Sequence, residues 1–348
     1  MNTRIKVEKV DCKSRMNDFL RVPRIIYKDC EQYVPDLDGD VKNLFRSEKN
    51  PGMKFSVVQP FVAYRDAKPV GRIVGIINKK ANESWKRKNV RFSMLEFEDD
   101  MNVSKALIET VSQWGAAQGM DTIHGPLGIT DFDKEGMLVE DFDMMGSINT
   151  IYNHEYYPRH MEALGMEKEV DWVQIHIDIP KEIPGRYARV AQYAREQMGL
   201  RVIKPTNNLI YNKGLGREVF YLLNEAYAKL FGFSKLSDEQ IDHFLHKYLD
   251  IIDKNLIPIV LNEKDEVVGA AVTMGSLSKA TRKANGKLLP TGWYHLLKAL
   301  KWKSEDNAEM LLIAVRPDMQ GMGVNALFFD NLIPIYNKYG LQNTSLLI

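Results

Sequence analysis

Two periodicities of apolar residues alternate along this chain, and their order repeats. Residues 61–77 (FVAYRDAKPVGRIVGII) and 257–274 (IPIVLNEKDEVVGAAVTM) each predict a strand, a polar turn and a second strand that opens with Val-Gly. The pattern therefore predicts an α/β chain with two copies of one hairpin, strand and helix unit. A further apolar strand and an amphipathic helix complete each copy, at 91–97 and 103–118 in the first and at 309–315 and 324–339 in the second.

A proline-containing connector lies between the two copies. The segment DIPKEIP at 178–184 interrupts the apolar pattern, and a helix is predicted just after it, at 187–197. We therefore predict two domains, 1–180 and 181–348. Within the second domain, the helical period also predicts helices at 217–231 and at 238–252, the latter with Ser237 as its N-cap.

Composition limits the classes of protein to which the chain can belong. Its 348 residues are 45% hydrophobic, enough to bury the cores of about two domains, and a net charge of +1 argues against a nucleic-acid-binding protein. Two cysteines, Cys12 and Cys30, are too few for a disulfide framework, and His243 and His246 have metal-like spacing but no third ligand nearby. The N-terminal segment has no apolar signal core and no apolar run approaches the ~20 residues of a membrane span. We therefore expect a soluble cytoplasmic protein without a metal.

The segment between the last two predicted elements has the composition of a phosphate-binding loop. Gly321 and Gly323 lack β-carbons, so the backbone can approach a ligand closely, and N–H groups at a helix start attract negative charge. No Gly-Lys-Ser/Thr follows, and Ala326 stands where a dinucleotide fingerprint has its third glycine. The loop is therefore neither a Walker loop nor a dinucleotide loop, and an ordinary strand-to-helix turn is the alternative.

The spacing V-x-P-x-x-Q-G-x-G resembles the coenzyme A loop of GNAT-superfamily acyltransferases, with Gln320, Gly323 and Asn325 at the three characteristic positions. Asn325 departs from the pattern, which has Gly or Ala there. The tail of the first copy, a helix at 157–166 followed by a strand at 170–179, resembles the closing element of a GNAT domain. The resemblance implies two tandem GNAT-like domains, each a mixed, mostly antiparallel sheet flanked by helices.

The end of the chain departs from a complete GNAT domain. LQNTSLLI at 341–348 predicts a strand, whereas the resemblance implies a further helix and strand after it. We therefore expect the second domain to be incomplete at its C-terminus or to take a strand from elsewhere.

The resemblance also implies the chemistry, which is N-acyl transfer from acetyl-CoA or a longer acyl-CoA to an amine. In the first copy, Glu96, Glu98, Asp99 and Asp100 stand near the equivalent loop and would repel a pyrophosphate. We therefore predict that only the second domain binds coenzyme A and that the first shapes the acceptor site. The residues implied for coenzyme A binding are Ile313, Ala314, Val315, Gln320, Gly321, Met322, Gly323, Val324, Asn325 and Ala326.

Candidates for proton transfer lie in two places. Glu309 is the only carboxylate in the strand before the loop and is a candidate general base, with a solvated position at the strand start as the alternative. The tyrosine that commonly serves as general acid in the family would lie beyond the end of the sequence. Tyr152, His154 and Tyr156 are therefore candidates in a substrate pocket, and aromatic packing with satisfied hydroxyls is the alternative.

An insertion at 278–303 carries seven Lys or Arg and no acidic residue, interleaved with Leu and Trp. A basic amphipathic helix of this kind can lie on an anionic membrane, and packing of its Leu face on the domain is the alternative. With GPLG, YNHEYY and LLPTGWYHLLKALK, the chain resembles bacterial double-GNAT proteins, some of which are ceramide synthases. The resemblance implies a small-molecule or lipid amine acceptor, such as a sphingoid-like long-chain amine, and peripheral contact of residues 285–303 with the inner face of the membrane.

Two other classes of function stay open at this point. A non-catalytic binding or regulatory protein on a decayed GNAT fold is favoured by Asn325 and by the missing terminal element. A peripheral membrane adaptor would use the basic insertion alone. The sequence does not define the acceptor amine or the length of the acyl chain.

Overall fold

A computed structural model of the chain describes residues 4–302 and 305–347. The chain divides into two compact units, one comprising Met1–Asp171 with Ser278–Trp293 and the other Trp172–Leu277 with Tyr294–Ile348. Each unit contains one mixed, mostly antiparallel sheet flanked by helices, which confirms the predicted fold class. The domain boundary near residue 181 stays a prediction about where an independently stable domain begins.

The first sheet has its strands in chain order: β1 Lys6–Lys9, β2 Ser56–Arg65, β3 Lys68–Asn78, β4 Asn89–Phe97 and β5 Thr122–His124. Neighbouring strands pair antiparallel except β4 and β5, whose parallel pairing covers only Asn89–Arg91 of β4. A parallel pair requires a crossover, and a helix provides it here. The helices of this part of the chain are α1 Lys13–Ile26, α2 Asp38–Leu44, α3 Lys79–Ser84, α4 Met101–Ala116 and α5 Tyr156–Ala163.

Helix α4, the crossover helix, packs on one face of the first sheet because its apolar residues recur at helical spacing. Val103, Leu107 and Val111 are fully buried in this layer, while α1 packs on the opposite face. A glycine allows the close approach of α4, since a β-carbon at Gly75 of β3 would lie 2.8 Å from the ring of Trp114. The first unit therefore has a helix layer on each side of its sheet.

Six strands form the second sheet: β6 Gln174–Asp178, β7 Arg201–Ile203, β8 Ile259–Leu261, β9 Val267–Gly275, β10 Asn307–Val315 and β11 Asn343–Leu347. Their order is β6-β11-β10-β9-β8-β7, and among the described strands only β10 and β11 pair parallel. The remaining helices are α6 Gly185–Met198, α7 Leu215–Ala226, α8 Asp238–Phe244, α9 Ser278–Ala284, α10 Gly292–Trp302 and α11 Val324–Tyr339, of which α9 belongs to the first unit. The series β8, β9, β10, α11, β11 thus repeats the series β2, β3, β4, α4, β5, which confirms the predicted repeat.

Strand β6 has a different partner from the one that the sequence predicts. The assignment of segment 170–179 as the closing strand of the first half is wrong, because β6 pairs antiparallel with β11 in the second sheet, from Gln174↔Leu347 to Asp178↔Asn343. The second sheet therefore takes a strand from before the predicted boundary, one of the two alternatives that the sequence left open. Sequence pattern could not show this, because backbone groups that every strand possesses make the pairing.

Most of the predicted helices are present. Helix α11 has the predicted bounds, and α7 ends earlier than the predicted 217–231. Helix α8 covers the first half of the predicted 238–252, after which Leu245–Leu249 continues as a π-helical turn. Ser237 is the N-cap of α8, as predicted, and Gln240 completes a reciprocal pair of hydrogen bonds with it. No helix in residues 4–302 and 305–347 is both long and apolar enough to cross a bilayer.

Candidate functional site

The part of β10 beyond Met310, here called the β10 notch, pairs with β9 on one side and with no described strand on the other. The parallel pairing of β10 with β11 ends at Met310, whereas β10 continues to pair with β9 as far as Val315. A β-bulge between Met310 and Leu312 bends β10 at the residue where its pairing with β11 ends. Beyond the bulge, the amide groups of a ligand are therefore able to pair with this side of β10.

The loop from β10 to α11 ends in two glycines with left-handed backbone conformation. Gly321 has a φ of 76° and Gly323 a φ of 87°, a region that strongly favours glycine. Gly323 is the N-cap of α11, and a β-carbon there would lie 2.4 Å from Cγ1 of Val190 on α6. Packing as well as backbone conformation therefore requires glycine at position 323.

Backbone N–H groups at this end of α11 are free to bind an anion. In the part of the chain that the structure describes, no group accepts a hydrogen bond from the N–H of Gly321, Gly323, Val324 or Asn325. They stand at the N-terminus of a helix of 16 residues, whose dipole adds positive potential. The side chain of Val324 is buried and that of Asn325 is exposed. The arrangement fits a phosphate or a pyrophosphate.

The other loop residues have structural roles. Nε2 of Gln320 donates to the carbonyl of Val315 at 3.1 Å, which holds the loop against the end of β10. Ala326 is buried in the core, whereas the side chain of Met322 is exposed beside the glycines. Direct ligand contacts from these residues stay predictions.

Of the three β10 residues implied by the resemblance, Ile313 has its backbone groups on the notch side. Its N–H donates to the hydroxyl of Tyr227 at 3.2 Å, and the same hydroxyl donates to its carbonyl at 2.9 Å. The alternation of an antiparallel ladder then directs the N–H and C=O of Ala314 toward β9. Ile313 is thus the donor and acceptor at the notch, Val315 is engaged by the loop, and we expect no backbone contact from Ala314.

Glu309 lies in the paired half of β10, before the bulge. The alternative of a solvated position is wrong, because the residue is only 5% exposed and its Oε1 accepts a hydrogen bond from the Ser276 hydroxyl at 2.6 Å. Its neighbours across the sheet are Met274 and Ser345. A buried, hydrogen-bonded carboxylate is able to accept a proton, so Glu309 stays a candidate general base.

The first unit contains a cavity of about 780 Å³ at the start of α5. The three candidates Tyr152, His154 and Tyr156 all line it. The sequence prediction that these residues share a pocket is thus consistent with their positions, and their catalytic roles stay predictions. The remaining lining residues are apolar (Ile25, Ile26, Phe142), acidic (Glu98, Asp99, Asp143, Glu155) or basic (Arg159).

The polar groups of these three candidates are engaged by the backbone. The Tyr152 hydroxyl donates to the Phe142 carbonyl at 2.9 Å, and the Tyr156 hydroxyl donates to the Phe97 carbonyl at 2.6 Å. Burial raises the pKa of both phenols, which keeps them protonated at neutral pH. The packing alternative is therefore also supported, because each hydroxyl is satisfied while its ring lines the cavity.

His154 differs from the two tyrosines because it has a second polar atom. Its Nε2 lies 3.3 Å from the Ile26 carbonyl, a contact that assigns the proton of a neutral ring to Nε2. Nδ1 is then the unprotonated nitrogen. A base that is oriented through its other nitrogen can accept a proton from a bound amine.

Three acidic residues just before α4 have polar partners within the first unit. Arg65 forms ion pairs with Glu98 and Asp100, and Asp99 lies 2.9 Å from Nε2 of His160. Asp100 also caps α4 by accepting from the Asn102 N–H at 2.8 Å, at the place where the second unit has Gly323. A carboxylate therefore already occupies the helix N-terminus that would have to bind a phosphate.

Sequence reasoning missed a buried polar cluster in the first unit and wrongly grouped Glu96 with the exposed acidic loop. Glu96 is buried, and its Oε2 accepts from the hydroxyls of Tyr27 at 2.5 Å and Tyr157 at 3.2 Å, while Nη2 of Arg72 lies 3.6 Å from its Oε1. Burial raises the pKa of Glu96, and the Arg72 guanidinium opposes that shift. One charged residue inside each of two apolar segments, VGRIVGII and SMLEF, is the signal that could have revealed the pair.

An exposed apolar and basic surface, here called the 287–301 surface, follows α9. Leu289 is 76% exposed, and Leu288 and Trp293 are about half exposed. Lys298 and Lys301 on α10 are exposed as well, and α10 buries Ala299. Lys303, which the sequence prediction included, lies outside the described residues. Within those residues, no three His, Cys, Asp or Glu side chains are grouped as metal ligands would be, and His243 and His246 belong to no such group.

Comparison with known proteins places this geometry among related folds. No protein-family model matches the chain. It is 26% identical over 317 residues to Protein YghO of Escherichia coli (strain K12), covering 88% of this chain and 78% of the relative. It is 25% identical over 324 residues to a bacterial ceramide synthase of Caulobacter vibrioides, covering 92% and 82%.

A likeness also exists at the level of structure. A tandem GNAT protein from the clavulanic acid biosynthesis pathway superposes with a TM-score of 0.55 at 8% identity, covering 99% of this chain and 90% of the other. At that identity the likeness establishes the fold. Both units together have the tandem GNAT fold, as the sequence predicted.

Proposed function

We propose that this chain, which has the tandem GNAT fold, is an acyl-CoA-dependent N-acyltransferase whose donor site lies in the second unit. The observation that carries the proposal is the combination of the β10 notch with the free amides of Gly321, Gly323, Val324 and Asn325. A pyrophosphate is recognised by the helix N-terminus, and an extended amide-containing arm is recognised by the open strand edge. Coenzyme A possesses both groups in the same molecule.

The reaction needs few groups from the protein. The amine nitrogen attacks the thioester carbonyl, the C–S bond breaks, and the proton lost by the nitrogen is balanced by the proton gained by the thiolate. A backbone N–H on the strand edge beyond the bulge would stabilise the oxyanion. Glu309 is the candidate base in the same unit, and its hydrogen bond with Ser276 orients the carboxylate.

For the acceptor, we propose that the cavity of the first unit binds an amine with an apolar portion, as a long-chain amine has. Asp143 and Glu155 form no ion pair among the described residues and attract a cation, which the nearby Arg159 opposes only in part. Ile25 and Phe142 provide apolar wall, where each buried methylene contributes ~0.8 kcal/mol. A relative that is a ceramide synthase supports the same class of acceptor.

Release of free thiol from acyl-CoA tests the proposal. The purified chain is incubated with acetyl-, octanoyl- and palmitoyl-CoA, each with a short polar amine, a long-chain amine or no amine. Amine-dependent thiol release with a matching amide product supports transfer. Binding of coenzyme A without release for any pair would favour a non-catalytic binding protein, an alternative supported by the backbone-satisfied hydroxyls of Tyr152 and Tyr156.

We predict one coenzyme A site per chain. The first unit already places the Asp100 carboxylate at the start of α4, so its electrostatic potential disfavours a pyrophosphate there. Calorimetric titration should give a stoichiometry of one. An Asp100→Asn variant is the control. A second site that appears only in this variant would show that the charge of Asp100 prevents binding to the first unit of the wild type. Two sites in the wild-type chain would contradict the prediction.

We also predict reversible association of the 287–301 surface with anionic membranes. Leu289 and Trp293 would enter the interface, while Lys298 and Lys301 would each contribute ~1 kcal/mol near anionic headgroups. Leu289→Ser, Trp293→Ser, Lys298→Glu and Lys301→Glu together should therefore weaken co-sedimentation with anionic vesicles by about tenfold or more.

Neutral vesicles and a second variant provide the controls for the membrane experiment. Lys229 and Leu230 are an exposed basic and an exposed apolar residue that follow α7 and lie outside the 287–301 surface. The control variant carries Lys229→Glu and Leu230→Ser. This control should sediment like wild type. Equal sedimentation of all variants would show that the 287–301 surface does not bind membranes. The proposed acceptor would then be a soluble amine.

A further inference from the structure

The β10 notch is occupied by a side chain of the chain itself. Tyr227 follows the last residue of α7, and its hydroxyl bridges the two backbone groups of Ile313, accepting from the N–H at 3.2 Å and donating to the carbonyl at 2.9 Å. Its ring packs edge-on against Phe233, with centroids 5.8 Å apart. One hydroxyl thus satisfies both a donor and an acceptor that an open strand edge would otherwise leave unpaired.

The first unit closes the equivalent strand, β4, at a different position: Phe97 lies opposite Gly71, as Val315 and not Ile313 lies opposite Gly269. There the Phe97 N–H donates to the Tyr157 hydroxyl at 3.0 Å, and Tyr156 donates to the Phe97 carbonyl. Tyr157 is in turn bonded to the buried Glu96. The buried carboxylate supports this closure, because moving Tyr157 would remove one of the two hydroxyls that donate to Glu96.

The closure in the second unit has no such support. Among the described residues, the Tyr227 hydroxyl has no hydrogen-bond partner other than Ile313. Burial raises the pKa of Tyr227, so the hydroxyl keeps the proton that it donates to the carbonyl. An amide group, like the hydroxyl, has one hydrogen-bond donor and one acceptor. If an amide replaces the Tyr227 hydroxyl, both backbone groups of Ile313 therefore stay hydrogen-bonded.

We propose that Tyr227 is a displaceable stand-in for the amide-containing arm of the thioester donor: it closes the β10 notch when the site is empty and leaves Ile313 when the donor binds. The proposal rests on the proposed function, since it assumes that the donor arm runs along β10. It makes Tyr227 a positioning residue that lowers affinity for the arm without touching the phosphate-binding loop. The hydroxyl competes with ligand, so its removal should tighten binding.

The test compares two ligands on the wild-type chain and on Tyr227→Phe. Coenzyme A carries the arm, whereas adenosine 3′,5′-bisphosphate lacks it. Phenylalanine keeps the ring but loses the hydrogen bonds with Ile313, and we expect calorimetric affinity for coenzyme A to rise by about threefold to tenfold, the range set by one net hydrogen bond. Affinity for the bisphosphate should stay within error. Tyr221→Phe on the same helix, whose exposed hydroxyl bonds to Asp238, is the matched control and should change neither.

Amide exchange gives a second readout that a general loosening of the fold would not reproduce. The Ile313 N–H should be protected in the wild type, exposed in Tyr227→Phe, and protected again when coenzyme A is added to that variant. Unchanged or weaker coenzyme A binding in Tyr227→Phe would overturn the displacement, and so would an equal gain for both ligands. If the wild type binds neither ligand, the donor site itself is wrong, and the proposed function fails together with this inference.

Discussion

Gly323→Asp is expected to abolish coenzyme A binding, with affinity falling by about 100-fold or more. The substitution places a β-carbon 2.4 Å from Val190 and forces a non-glycine residue into a φ of 87°. It also adds a carboxylate beside the free amides, where repulsion from a phosphate about 4 Å away amounts to ~4 kcal/mol near a protein surface. Loss of amine-dependent thiol release should accompany the loss of binding. Calorimetry with coenzyme A is the measurement.

Two controls separate charge from strain in that experiment. Gly323→Asn has nearly the same size but no charge, so the difference in affinity between Asn and Asp reports the electrostatic part. Gly340→Asp, at the other end of α11, introduces the same residue at another left-handed glycine, φ 74°, and should leave binding intact. Unchanged affinity in Gly323→Asp, with the fold intact by circular dichroism, would refute the assignment of the loop.

Arg72→Met should destabilise the first unit by about 3–5 kcal/mol, because it leaves the buried Glu96 carboxylate without its cation. Arg72 is only 2% exposed, and it also donates to the Phe19 carbonyl and lies over the Phe19 ring. The free energy of unfolding from urea titration gives the magnitude. The double variant Arg72→Met, Glu96→Leu should recover much of the loss, since no buried charge then lacks a partner.

The pH dependence of this loss has a definite sign. Burial raises the pKa of folded Glu96 above its unfolded value, so the stabilising contribution of its protonation is present below the unfolded pKa and is lost as pH rises through the folded pKa. Removing Arg72 raises the folded pKa further. Arg72→Met should therefore be closer to wild-type stability at pH 5 than at pH 8. A deficit that is the same at both pH values, or below 1 kcal/mol, would contradict this account.

The repeat and the glycine conformation of the loop before α11 could be predicted from sequence because their causes are local. Helix α11 has its predicted bounds since its apolar spacing and the glycines at 323 and 340 mark both ends. The role of Gly323 follows from backbone conformation, which glycine spacing reveals. The fold class followed in the same way from periodicity in each copy.

The features that could not be predicted depend on contacts between residues far apart in sequence. Nothing near Tyr227 indicates that its hydroxyl meets Ile313, and nothing near Glu96 separates it from the neighbouring exposed acids except its place in an apolar strand. The sequence leaves a solvated position open for Glu309, because burial at a strand start depends on Ser276 and the adjacent strands. Sequence pattern defines elements better than it defines what surrounds them.

The pairing of β6 with β11 has a consequence for the order of folding. These strands are neighbours in the sheet, yet almost the whole of the second unit's sequence lies between them. Closing so long a loop is entropically expensive, so we expect this pair to form late and to dominate the contact order of the unit. During synthesis, β6 would leave the ribosome long before its partner exists and would wait as an unpaired strand. A chain begun at residue 181 would lack β6 altogether and would present β11 as a bare edge, open to intermolecular pairing and aggregation.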